Sequence, residues 1–204
     1  KTNKISPATG TALTLADSGD TLTLPSGATL SIASGATITN SGTATGFGGD
    51  NTPAFSAYVG SDQSLSHDTS ATLACTEEYF DTDSAFNNTA SGNAYSFTVP
   101  CGEGGKYFIH AVAYMSAGNS QSNATQVALQ INGTALSYQV IDNSNNYGDK
   151  YSNSITEILD LSAGDYVQVN VYGTTASSGA FTILGNQGSN KHYSWFMGYK
   201  LIGV

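Results

Sequence analysis

The sequence predicts an all-β protein, a many-stranded sandwich preceded by a short glycine-stepped β-shaft. Three observations predict it. After residue 54, short runs of β-branched and aromatic residues recur at fairly even spacing, separated by Asp/Gly/Asn turns, and no stretch carries a helical period. Glycine returns at Gly19, Gly27, Gly35 and Gly42, each time followed by small residues and an alternating apolar pair. Charged residues make up only 10% of the chain, against about 25% in average globular proteins. That composition suits a neutral surface of hydroxyls and amides.

The 204 residues fit one ordinary domain plus an appendage. Residues 1–18 read as an anchoring lead-in, with Ala12-Leu13-Thr14-Leu15 an early copy of the repeat. Residues 19–45 read as the shaft. Leu22/Leu24, Leu30/Ile32 and Ile38 recur like rungs, and side chains two apart point to one face of a strand. The glycines step by eight, eight and seven residues. Eight residues span at most about 26 Å when extended, tight for a closed coil with a filled interior. Three chains side by side, each giving one wall of a prism, would bury the Leu/Ile column. The alternative is a flexible Gly/Ser/Thr linker, which the regular apolar pairs oppose. Residues 46–53 (GFGGDNTP) read as a hinge, because glycine, asparagine and proline interrupt any pattern.

Residues 54–204 then supply ten strand-like runs. They are Ala54–Val59, Leu73–Phe80, Ala94–Val99, Gly105–Ala117, Gln126–Ile131, Thr134–Gln139, Ser154–Leu161, Tyr166–Tyr172, Ala180–Leu184 and Trp195–Val204. Asn132-Gly133 between two apolar runs is a strong hairpin signal. Aromatic and β-branched residues throughout this region argue against disorder. Cys75 and Cys101 are the only cysteines. Two cysteines make no framework, so a bridge and two half-buried thiols both stand as readings.

Several segments of this domain resemble the C1q/tumour-necrosis-factor-like family. Ala54-Phe55-Ser56-Ala57-Tyr58 is similar to its opening strand. Tyr95-Ser96-Phe97-Thr98-Val99-Pro100 followed by Gly105-Lys106-Tyr107-Phe108-Ile109 is similar to its core pair. Leu159-Asp160-Leu161-Ser162-Ala163-Gly164-Asp165-Tyr166-Val167 resembles its late hairpin, and Ser194-Trp195-Phe196-Met197-Gly198-Tyr199-Lys200-Leu201 its last strand. The resemblance implies a ten-stranded jelly roll that assembles as a homotrimer on a stalk. Collagen is the usual stalk in animals. Here there is no Gly-X-Y repeat and there are four prolines, which excludes a collagen triple helix. A glycine-stepped β-stalk under a C1q-like head instead resembles bacteriophage fibre and appendage proteins.

The net charge is −9, with six lysines and no arginine. Nucleic acid and anionic membranes are therefore poor partners, since both need a positive surface. No apolar run reaches the roughly 20 residues of a membrane span. No leader is evident, and the lysine at position 1 leaves an upstream segment as an expectation.

Signals for catalysis are weak. There is no G-x-S-x-G elbow, and His67, His110 and His192 are far apart in sequence. His110, between Ile109 and Ala111, reads as a core or interface histidine. Asp81 and Asp83 share a strand face, the arrangement a polysaccharide depolymerase would use, but no aromatic platform surrounds them. The loop from Asp142 to Asp149 is rich in hard oxygen ligands and is the one candidate for calcium. No other cofactor is expected. Tyr147, Tyr151, Tyr172 and Tyr193 lie in or beside polar loops and are the candidate receptor contacts, because tyrosine offers flat contact area at low entropic cost.

The functional expectation is a non-enzymatic, trimeric virion structural protein, extracellular, whose knob attaches to a host-surface glycan or outer-membrane component. Residues before Gly19 would dock onto other virion proteins. A capsid decoration or head-fibre protein is the alternative with the same fold, and a depolymerase the second alternative.

Overall fold

The computed structural model describes residues 18–39, 51–142, 148–186, 188 and 191–202. Contacts divide the chain into two units, Lys1–Thr45 and Gly46–Val204.

In the first unit the glycines do what their spacing predicts. Gly19, Gly27 and Gly35 all have positive φ, at 93°, 83° and 83°. The Ala28 N–H donates to the Pro25 carbonyl and the Ala36 N–H to the Ala33 carbonyl, both at 3.0 Å. Each turn thus places glycine where an L side chain would be strained. The intervening residues form no strand ladder within the single chain. Leu22, Leu24, Leu30, Ile32 and Ile38 are not buried by it either; they stand 44% to 65% exposed. Glycine thus recurs at spaced turns, and one chain alone leaves the apolar column exposed.

In the second unit, alternation builds two sheets. The strands are β1 (Ala54–Tyr58), β2 (Gln63–Leu65), β3 (Thr69–Thr72), β4 (Glu77–Asp81), β5 (Phe86–Asn87), β6 (Ser96–Thr98) and β7 (Gly105–Ser116). They continue with β8 (Ser122–Ile131), β9 (Thr134–Asp142), β10 (Lys150–Leu161), β11 (Tyr166–Thr175), β12 (Phe181–Ile183) and β13 (Trp195–Lys200). The first sheet runs β2-β12-β7-β13-β1-β4, with β10 also on β7; the second runs β5-β6-β11-β8-β9, with β3 on β11. Every pairing is antiparallel. The two sheets face each other over one core, a jelly-roll sandwich.

That core is aromatic at one end. The Phe55 ring stacks on Phe86 and Phe97 at 5.1 and 4.7 Å and meets Phe196 edge-on at 4.8 Å. Such pairs add roughly 0.5–1.5 kcal/mol each beyond their buried area. Gly198 is required here. A Cβ on it would come within 2.6 Å of Ile109 Cδ1 and 2.9 Å of the Phe108 carbonyl.

Two expected runs change most. Leu73–Phe80 is not one strand: β3 ends at Thr72 and β4 starts at Glu77. Between them the buried Leu73 and Cys75 turn into the core. The Gln63 side chain bridges the gap, donating to the Thr72 carbonyl and accepting from the Ala74 N–H. The last strand stops at Lys200, and β2, β3 and β5 are short additions. The two cysteines are free thiols, Cys75 buried and Cys101 exposed, so neither the bridge nor the half-buried pair is found. Burial pushes the Cys75 thiol pKa far up.

The Asn132-Gly133 hairpin forms between β8 and β9, with both residues at positive φ (52° and 77°), as a type I′ turn demands. Asn132 also ties this turn to the β10–β11 turn. Its amide donates to Asp165 Oδ1 at 2.8 Å and its Oδ1 accepts the Tyr166 N–H at 3.0 Å. The Asn132 bond, and then the Ser162 N–H, hold the Asp165 carboxyl below its usual pKa. Asn132→Ala removes both side-chain bonds and places a Cβ-bearing residue less tolerant of positive φ in the turn. Urea denaturation should show a loss of about 1–2 kcal/mol, with an unchanged m-value.

Candidate functional site

The first sheet carries apolar side chains on both faces. On β7, Tyr107, Ile109, Ala111, Ala113 and Met115 are fully buried in the core. The alternate residues Phe108, His110, Val112, Tyr114 and Ser116 point outward and are only half-buried. Register assembles these into rows. Ile158 of β10, Phe108 and Tyr199 of β13 form one row; Thr156, His110 and Met197 the next; Ser154, Val112 and Trp195 a third. Phe108 stacks on Tyr199 at 5.2 Å, and Trp195 meets His110 edge-on at 5.2 Å. His110 Nδ1 lies 2.6 Å from the Thr156 hydroxyl. Ile158 is 61% exposed. His110 is thus an outward-facing histidine of an uncovered aromatic surface, not a core residue.

Beside it, Tyr58, Tyr79 and His192 form a three-ring cluster, with the His192 ring 3.8 Å from Tyr58 and 5.0 Å from Tyr79. At the far end of β7, Tyr114 and Tyr193 lie 5.2 Å apart and line an open cleft.

The candidate receptor tyrosines are not brought together. Tyr147 lies outside the described residues. Tyr151 shares its strand parity with the buried Asn153 and Ile155, and its hydroxyl accepts the Gly148 N–H. Tyr172 is on the second sheet and donates to Asp68 Oδ1 at 2.6 Å, a bond that raises its pKa. Only Tyr193 faces the cleft. Tyr114, its partner there, was hidden in sequence inside a strand run; the signal was its place in an outward set whose inward neighbours are equally apolar.

The carboxylates proposed for hydrolysis serve their own loop. Asp81 accepts the Asp83 N–H at 3.3 Å and the Phe86 N–H at 2.8 Å, and Asp83 accepts the Thr82 hydroxyl at 2.6 Å. Among the described residues no three His, Cys, Asp or Glu side chains gather as a metal site. Residues 143–147 of the oxygen-rich loop lie outside them.

No family model and no curated protein sequence matches the chain. Solved structures do. The globular domain of zebrafish complement 1qA protein is 16% identical, covering 73% of this chain and 97% of that one, with a TM-score of 0.47. The Eiger TNF of S. frugiperda is 15% identical over 72% and 91%, with a TM-score of 0.49. Murine APRIL is 10% identical over 72% and 98%, with a TM-score of 0.50. At such identities the likeness concerns the fold alone. With the observed two-sheet topology, the second unit has a jelly-roll fold.

Glu78, on β4 and in register with the buried Ala57 of β1, is held above the usual carboxylate pKa by burial, then by Asp81 and Glu77. A raised pKa favours the protonated folded state, so its stabilising balance is present in acid and lost as pH rises through that pKa. Glu78→Gln should raise the melting temperature modestly at pH 7. The gain should vanish near pH 3, as thermal melts across the range would show.

Proposed function

We propose that this chain is one subunit of a non-enzymatic homotrimer, an extracellular virion appendage whose C1q-like knob attaches to a host-surface glycan or outer-membrane component. The observation that carries this reading is the uncovered outer face of the first sheet, where Ile158, Phe108, Tyr199, Val112, Trp195 and Met197 form an aromatic and aliphatic patch around His110, flanked by Ser154 and Thr156. Apolar area left in water forgoes about 25 cal/mol per Å², and contiguous patches of this kind on soluble proteins mark association surfaces. The β9 edge of the second sheet offers a matching stripe, with Leu136, Tyr138 and Val140 all more than half exposed. A neighbour's edge against this face is a heterologous contact, which closes into a ring under threefold rotation.

The exposed Leu/Ile rungs of residues 19–38 favour the same assembly. Three copies give that column the partners one chain lacks. The order along the sequence, a glycine-stepped repeat followed by a jelly roll, supports the virion appendage reading through its resemblance to phage fibres. Adhesion then rests on avidity, since three identical weak sites at fixed spacing bind far better than one. The low-charge surface favours hydrogen bonds and stacking over ionic capture.

Light scattering should give a particle of about 63 kDa, three times the 21.0 kDa chain; a stable monomer refutes the assembly. Ile158→Asp should shift the equilibrium strongly to monomer, because a charge buried in the contact is costly. Ile32→Asp should lower trimer stability, and unchanged stability would mark residues 19–45 as a linker. Adsorption to host cells should fall only slightly between about 50 and 500 mM salt; its abolition would refute this contact chemistry.

A further inference from the structure

The cleft at the far end of β7 has a volume of about 390 Å³, toward the low end of the roughly 300–1,000 Å³ typical of small-ligand clefts. It lies on the outer face of the first sheet, away from the start of β1. Ala54 is paired with Tyr199, beside Phe108, whereas the cleft is built around residues 114 and 116. Its floor follows from strand register. Ser116 is flanked by Lys150 of β10 on one side and Thr182 of β12 on the other. Tyr114 stands one step back, fixed to β12 by the Leu184 N–H donating to its carbonyl at 2.8 Å. Two segments add walls. Tyr193 sets its ring at 44° to that of Tyr114, and Asp62 is held in place by the Gly185 N–H on its Oδ1 at 3.0 Å.

This lining has a definite chemical demand. Two inclined tyrosine rings present flat apolar area. The Ser116 and Thr182 hydroxyls donate and accept, the Asp62 carboxylate accepts, and the Lys150 ammonium donates. Lys150 makes no ion pair among the described residues, so it is available to a ligand. One carboxylate and one ammonium leave the cleft without net charge. The matching ligand is uncharged, ring-shaped, apolar on one face and rimmed by hydroxyls. We propose that this cleft binds one uncharged pyranose residue of a surface polysaccharide, stacked on Tyr193 with its hydroxyls on Asp62, Lys150 and Ser116. The assignment rests on the adhesion reading above and gives it a place and a ligand class. A neutral sugar also evades the repulsion that a chain of net charge −9 imposes on an acidic polysaccharide.

The test probes the full chain against an array of neutral hexose, N-acetylhexosamine and uronic-acid oligosaccharides. Wild type should be retained by neutral glycans, with Tyr193→Ala and Lys150→Ala each weakening binding at least tenfold. Thr134→Ala, at an exposed position of β9 on the other sheet, should bind as wild type. Melting temperatures check folding, and Lys150→Ala, at an exposed strand end, decides the matter should Tyr193→Ala unfold. Neutral-glycan binding unchanged in both cleft variants overturns the cleft and leaves the adhesion reading standing. Retention by uronic acids alone overturns the uncharged ligand. No retention of wild type by any glycan removes the glycan reading and the cleft with it.

Discussion

The structure depends on one strand being apolar on both sides. β7 sends Tyr107, Ile109, Ala111, Ala113 and Met115 into the sandwich core and Phe108, His110, Val112 and Tyr114 to the opposite face. It is also the hydrogen-bonding centre, paired with β10 along its whole length and with β13 and β12 on its other edge. A strand of an antiparallel sheet usually packs one face on the core and turns a polar face to water. Here the inner face is covered by the second sheet, and the outer face is left for something else. The aromatic rows, the three-ring cluster and the tyrosine-lined cleft all follow from that second face.

Much of the fold was legible in the sequence because its signals are local. The Asn132-Gly133 turn needs two residues at positive φ, and few other pairs supply them. Alternation marked β1, β10 and β11 to within a few residues. What escaped was non-local. The interruption after Thr72 depends on Gln63, nine residues away in sequence, substituting its amide for backbone partners. The strands β2, β3 and β5, of two to four residues, are held by their neighbours rather than by any pattern of their own.

The candidate site was less legible for a related reason. A tyrosine beside asparagine and glycine looks the same in sequence whether its ring meets solvent or its hydroxyl is tied down. Tyr151 and Tyr172 are tied, to Gly148 and Asp68, and Tyr193 is open. Carboxylates follow the same pattern. Asp81, Asp83 and Asp165 spend their oxygens on nearby donors, shaping loops in a chain with few other charges. The informative clue was the β7 run itself, which sets Phe108, Val112 and Tyr114 opposite an apolar inward series.

The turns at Gly19, Gly27 and Gly35 have nearly the same backbone geometry and recur every eight residues. Each unit therefore repeats one turn and one apolar pair at the same offset from its glycine, which makes whole units interchangeable. Inserting or deleting eight residues keeps every later pair at its offset, whereas any other number displaces the pairs from their turns. The step from Gly35 to Gly42 is seven, and it falls where the apolar pairs give out. The repeat is in effect a ruler graduated in eights, with its end marked by a shorter step.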